Sequence, residues 1–333
     1  MKKTLFASTA VAALSFGGAA SAAGLEATVG GYWYIGAGYD SGLVSFENPA
    51  GASGVTILRD GEIFLGVTGS TDNGLTFDGR VELESFTSGD QIDENWARVS
   101  GSFGSVLIGG EDTTSDNHEA GIFYGPGART GYFDAFVSVI GSSNAGDLIG
   151  ITYESPNISG FSVGGSYHLA GTDGAGDQGR VTKQIEDDIY SFGADYSGEF
   201  SGVSLDVAGG IVNGDGIEDV VFQVGTTIAY QGVSLGVHYD SNASGLETDG
   251  VDLTDDDGAL AVGVQYTTGP WTVAGGYAFN FNDEDFVDAN NFGGWVTYAL
   301  GPGVSATFGI EGNDGGSAED TDIVALGYLA LSF

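Results

Sequence analysis

Apolar and polar residues alternate with a period of two along most of the chain, in stretches of about ten residues that each end in a turn signal. From Trp271 to Phe281 one face carries Trp271, Val273, Gly275, Tyr277, Phe279 and Phe281, and the other Thr272, Ala274, Gly276, Ala278 and Asn280. Val233, Leu235, Val237 and Tyr239 alternate with Ser234, Gly236, His238 and Asp240, and Val304, Ala306, Phe308 and Ile310 with Ser305, Thr307, Gly309 and Glu311. Side chains leave a strand on opposite faces in turn, so each stretch predicts a strand with one oily face and one small or polar face. The final stretch departs from this rule: Ile323, Ala325, Gly327, Leu329, Leu331 and Phe333 form an apolar face, yet Val324, Leu326 and Tyr328 opposite them are not polar. Its second face is either packed by something in the interior or buried outright.

The connections come in two kinds that alternate strictly. Tight turns are predicted at Ser70–Gly74, Phe103–Ser105, Pro156–Gly160, Glu199–Gly202, Gln231-Gly232, Gly269-Pro270 and Gly301–Gly303, where Gly, Asn, Asp and Pro supply the backbone angles a turn needs. Between them lie longer, mostly acidic connections: Ser41 to Val55, Ser88 to Asp93, Asp112 to Gly146, Gly171 to Asp188, Asn213 to Asp219, Asn242 to Asp257, Asn282 to Asp288 and Glu311 to Asp322. Seven turns and eight loops join 16 strands, which places both ends of the sheet at the turn side. An even number of antiparallel strands can close with no open edge.

The connection from Asp112 to Gly146 is the longest break in the rhythm, and it is not polar. It holds Ile122, Phe123, Tyr124, Tyr132, Phe133, Phe136, Val137, Val139 and Ile140 beside Asp112, Asp116, Glu119, Arg129 and Asp134. Loops longer than about 12–15 residues in compact proteins are usually functional or disordered, and this one is too apolar for disorder. It is expected to fold back inside a barrel formed by the rest of the chain and narrow the opening. An external lid packed on its own apolar residues is the alternative.

Alternation alone fits both a soluble sandwich, in which the oily faces meet in a core, and a membrane barrel, in which they meet lipid. The asymmetry of the connections, the even strand count and the placement of Trp33, Tyr39, Phe161, Tyr167, Tyr230, Tyr239, Trp271, Tyr277, Tyr298 and Phe333 near strand ends favour the barrel. The N-terminus agrees. Lys2 and Lys3 precede an apolar run from Leu5 to Phe16 and a small-residue stretch containing Ala20-Ser21-Ala22, the pattern of a secretory signal over 1–22 with the barrel domain at 23–333. No later apolar run is long enough for a helical span of about 18 residues or more.

Composition sharpens this. There are 60 glycines and only 5 prolines with 12% aromatics, and no cysteine, so stability is expected without disulfides. Removal of the signal leaves six basic against 46 acidic residues, a net charge of −40, which argues against a nucleic-acid partner.

Three further features carry a resemblance: Gly66-Val67-Thr68-Gly69-Ser70-Thr71-Asp72-Asn73-Gly74-Leu75 at the first tight turn, Val99-Ser100-Gly101-Ser102-Phe103-Gly104-Ser105-Val106-Leu107-Ile108-Gly109 at the second, and Phe333 ending an apolar strand. With them the chain resembles, from mature end to end, the general outer-membrane porins of alphaproteobacteria, of the Rhodobacter type. The resemblance implies an all-β, 16-stranded antiparallel transmembrane β-barrel in a Gram-negative outer membrane, with a long third loop folded into the lumen. It also implies a homotrimer, passive diffusion of small hydrophilic solutes and ions, and a C-terminal aromatic read by the barrel-insertion machinery.

Such porins oppose acidic residues of the inserted loop with basic residues on the wall, and here the match is partial. By alternation Arg80 shares an inward face with Thr76, Asp78, Glu82 and Glu84, and Arg98 shares one with Trp96 and Ser100. Arg59 falls with Ile57, Ile63, Leu65 and Val67 and is expected outside the pore, whereas Asp60 and Glu62 point inward. The expected constriction comprises Arg80, Glu82, Glu84 and Arg98 from the wall with Asp112, Asp116, Glu119, Arg129 and Asp134 from the loop. Acidic groups in a narrow aqueous passage favour cations, so weak cation selectivity is expected; pairing of the acids with the arginines would reduce it.

The outer loops are dense in carboxylates. Asp255, Asp256, Asp257, Asp283 and Asp285 form clusters that would suit a surface divalent cation such as calcium, although none has EF-hand spacing. No other cofactor is expected. An enzyme is disfavoured: the histidines are His118, His168 and His238, the last two on polar strand faces, and no nucleophile elbow or zinc motif is present. Two other readings stand beside the channel: a sugar-specific porin, suggested by Trp96, Tyr124 and Tyr132 as stacking surfaces, and a non-channel exported β-adhesin.

Overall fold

A computed structural model describes residues 24–41, 53–86, 92–126, 148–173, 188–214, 220–241, 258–281, 290–313 and 321–333. The expected signal peptide lies outside them. The strands are β1 (Leu25–Asp40), β2 (Gly54–Ser70), β3 (Thr76–Glu84), β4 (Ile92–Gly101), β5 (Gly104–Gly110), β6 (Leu148–Glu154), β7 (Phe161–Asp173), β8 (Ile189–Phe200), β9 (Val203–Gly214), β10 (Val221–Tyr230), β11 (Val233–Asp240), β12 (Gly258–Thr268), β13 (Trp271–Phe281), β14 (Asn291–Gly301), β15 (Val304–Asn313) and β16 (Asp322–Ser332). One helical turn, α1 (Thr114–Asn117), lies between β5 and β6.

Each strand pairs antiparallel with its sequence neighbours, and β1 pairs with β16, so the sheet is a closed barrel of 16 strands. Beyond the last strand residue, Gly31 N donates to Phe333 O and Phe333 N to Gly31 O, both at 3.1 Å, and the Trp33 and Phe333 rings lie 5.6 Å apart. The tight turns fall within one or two residues of where expected: β5 already begins at Gly104, and β8 runs on to Phe200. In Ser201-Gly202 and Gln231-Gly232 both residues have positive φ, the two-residue hairpin geometry whose twist matches that of the strands. A Cβ at Gly232 would overlap Thr267 O and sit at φ +86°. Gly232→Ala is therefore expected to cost about 1–2 kcal/mol, read as a lower unfolding temperature in detergent.

The burial pattern decides between sandwich and membrane barrel. Residues alternate buried and exposed along β8 and β10, and the exposed members are Tyr190, Phe192, Phe222 and Val224, whereas Ser191 and Gln223 are buried. Val273 and Phe308 are 52% and 55% exposed. In a soluble sandwich these would be the core. A belt of exposed apolar side chains around a closed sheet instead fits hydrocarbon as the surrounding solvent. Tyr39, Phe161, Tyr167, Tyr230, Trp271 and Phe333 are likewise outward and exposed near strand ends.

The open question over the last strand is resolved on its inner side. Val324 and Leu326 are wholly buried and cluster with Leu58 of β2, while Tyr328 packs edge-on against Tyr34 of β1, 5.4 Å between ring centroids. Both faces are apolar because one meets lipid and the other is packed inside the barrel.

Candidate functional site: the lumen and its inserted loop

Residues 111–126 leave β5 and run along the inner wall. Their polar contacts reach several strands of that wall. Thr114 N donates to Ser166 Oγ of β7 at 3.2 Å, and Ser115 N to Ser191 Oγ of β8 at 2.7 Å. Gln223 Nε2 of β10 donates to Ser115 O at 2.6 Å, and Gly121 N to Thr227 Oγ1 of β10 at 3.0 Å. His238 Nδ1 of β11 lies 2.9 Å from Ala120 O. Ile122 and Phe123 then pack on Ala261, Ala274, Ala278 and Trp295 of β12–β14. These wall residues all face inward, so the described part of the long third loop lies inside the barrel rather than over it.

Glycine makes room for the loop. A Cβ at Gly193 would overlap the His118 ring, at Gly210 Ser115, at Gly225 Ala120 O, at Gly236 Gly121 O, at Gly263 the Phe123 ring and at Gly309 Pro126. The inward glycines of β8–β15 thus form a shallow track as deep as the missing side chains. His168 and His238, expected as lumen-lining, are buried, and His238 sits beneath the loop.

The described inward arginines lie on β3 and β4. Arg80 pairs with Glu82 and stacks over the Phe64 ring at 3.9 Å. Arg98 reaches Asp78 at 3.4 Å and lies 5.1 Å from the Trp96 ring centroid. Both arginines face inward as expected, each already engaged by an acid. Arg59 is outward and exposed, 5.3 Å from the Phe86 ring centroid. Tyr32 OH donates to Glu62 Oε1 at 2.7 Å, and carboxyl oxygens of Glu62, Glu84 and Asp93 lie within 4.8 Å of one another.

On the loop, Thr113 Oγ1 donates to Asp116 Oδ2 at 2.9 Å and Tyr124 OH to Glu119 Oε2 at 3.0 Å. Burial, with Glu94 and Asp112 nearby, pushes the Glu111 carboxyl up to about 8. Burial and Asp116 likewise push Glu119 up to about 8. Glu94 and Glu111 escaped the reading of the sequence: Glu94 shares parity with Trp96 and Arg98, which was the available signal, and Glu111 stands one residue before the loop. Arg129, Asp134 and Tyr132 lie outside the described residues, as do Asp255, Asp256, Asp257, Asp283 and Asp285, so the expected surface cation cluster has no described geometry.

Comparison with known proteins agrees with this architecture. The chain matches the family described as Gram-negative porin over residues 7–317. No curated protein matches. Among solved structures, engineered variants of the Rhodopseudomonas blastica porin superpose along the barrel: an alanine-to-lysine variant at 18% identity and TM-score 0.65, a variant with four charged residues replaced by alanine at 18% and 0.64, and a double tryptophan variant at 19% and 0.63. Each alignment covers 92% of this chain and 100% of the other. At this identity the likeness establishes the fold, and the family match establishes the lineage: the chain belongs to the Gram-negative porin family, whose members are channels of the outer membrane.

Proposed function

We propose that this porin is a weakly cation-selective diffusion channel for small hydrophilic solutes and ions, with its tight turns toward the periplasm and its long loops outside. The observation that supports it is the imbalance of charge in the lumen. Asp60, Glu62, Asp78, Glu82 and Glu84 share the wall with Arg80 and Arg98, and each arginine is paired with one of these acids. The low-dielectric barrel focuses what charge is left over, and cations are concentrated where it is negative. The zero-current potential of bilayers holding the pore under a potassium chloride gradient tests this: a potential of the cation-permeable sign is expected, and an anion-permeable sign refutes the reading.

The preference depends on pH. A carboxyl raised to about 8 is largely protonated at neutrality, so Glu111 and Glu119 add negative charge only as the pH climbs through that value. Cation selectivity is therefore expected to increase between about pH 7 and 9 and to increase less in an E111Q/E119Q pore. The same shift opposes folding: between the ordinary carboxylate range and about 8 the folded state binds the extra protons, so stability falls as pH rises across that window.

Trp96 faces Arg98 and the Tyr124 hydroxyl is bonded to Glu119, which counts against a stacking surface for sugars. The homotrimer implied by the family resemblance belongs to this reading, and heat-dissociable trimers in detergent would support it.

A further inference from the structure

The described loop contains one histidine, and it occupies the junction of three elements. His118 follows α1, is 3% exposed and lies against Gly193 of β8. Its Nε2 stands 3.0 Å from Glu154 Oε2 of β6 and its Nδ1 2.7 Å from Asp195 Oδ1 of β8. Asp195 also accepts from Ser162 Oγ of β7 at 2.5 Å. Beside this cluster opens a cavity of about 330 Å³, to which Arg98 of β4 and Glu111 from the start of the loop also contribute.

A neutral imidazole has one N–H, so between two carboxylates it can donate to only one and must turn a lone pair toward the other. An imidazolium donates to both. The hydrogen bond at Nε2 and the close ion-pair contact at Nδ1 together favour the charged form. We propose that His118, as an imidazolium, is a positioning residue of the pore: it ties the inserted loop to β6 and β8 and cancels one of the two negative charges those strands present to the passage.

This deepens the channel reading given above and rests on it. The charged groups that meet His118 are Glu154 from β6 and Asp195 from β8; across the cavity stand Arg98 and Glu111, and on the loop itself Asp116 and Glu119 flank it. Ser162 of β7 and Gly193 of β8 are neutral. Burial pulls the imidazole down, but hydrogen bonding and attraction from Glu154 and Asp195 outweigh it, and the net direction is upward. The tie is thus complete at and below the ordinary imidazole value of about 6.5 and is lost as pH rises through the raised value. Loss of the proton takes the cluster from a net charge of −1 to −2 and leaves the ring one N–H to donate, with a lone pair turned toward the other carboxylate.

The measurement is the zero-current potential and single-channel conductance across about pH 6 to 10, in an E111Q/E119Q background that removes the carboxyls titrating nearby. With His118 present, cation preference is expected to step upward on the alkaline side. In H118Q it is expected to be high already at the acid end and flat thereafter. In D195N, which leaves one carboxylate to hold the proton, the step is expected at lower pH. A step that survives in H118Q, no step with His118 present, or a D195N step at unchanged pH overturns the proposal. If H118Q fails to assemble, D195N and E154Q carry the test, since a histidine that only fills space would titrate the same way without either acid. The sign of the potential in the unmodified pore at neutral pH judges the channel reading separately: a cation-permeable pore without the step sinks only the role of His118.

Discussion

Gly225→Val is expected to alter conductance and stability together. A Cβ at this position would overlap Ala120 O of the inserted loop and come within 2.8 Å of His238 Nδ1. The first obstacle is backbone, which cannot swing aside as a flexible side chain would, and β10 is held on both edges by β9 and β11. The loop is the partner that must move. Its displacement toward the barrel axis stretches the Ala120 contact with His238 and the bond from Gly121 N to Thr227 Oγ1. Each buried hydrogen bond left unmade costs roughly 1–3 kcal/mol. The expected result is a smaller unit conductance and a lower unfolding temperature. Gly294→Ala is the control, because that glycine is on the exposed face of β14 and the nearest atom to its new Cβ is 3.8 Å away. Identical conductance and stability for the two variants would show that the loop does not rest on the glycine track.

The second large effect concerns the outer face. Phe308 lies midway along β15 and is 55% exposed, so an arginine there meets the centre of the bilayer. Phe308→Arg is expected to destabilise the folded barrel by about 2–4 kcal/mol, whereas Leu300→Arg at the turn end of β14 is expected to cost only about 0–1 kcal/mol, because the guanidinium can reach headgroups there. Reversible unfolding into urea from lipid vesicles measures both. Equal costs at the two depths would contradict the placement of this band in hydrocarbon.

Strand positions, the alternation of turns and loops, and the inward direction of Arg80 and Arg98 were legible because period two is a local property. Each depends only on residues a few positions apart. What the sequence hid depends on register between distant strands. The inner face of β16 looked anomalous because its partner, Leu58, is on β2, and only closure of the sheet brings the two together. The partners of His118 were hidden because Glu154 and Asp195 reach it from β6 and β8. The abundance of glycine was legible as a mark of sheet but not as the footprint of the loop, since a glycine gives no sign of what approaches it. The inward parity of the wall acids was legible; that Arg80 and Arg98 are already engaged, by Glu82 and Asp78, was not.

The seam between Gly31 and Phe333 has a consequence for biogenesis. Every other pair in the wall joins neighbours in the chain, but this one joins its two extremities, so it is the contact of greatest sequence separation and the slowest kind to form. A polypeptide cut short by even one strand would present two raw edges, whose unmet amides are ruinous in lipid and sticky in water. Insertion is therefore expected to require the first and last strands together.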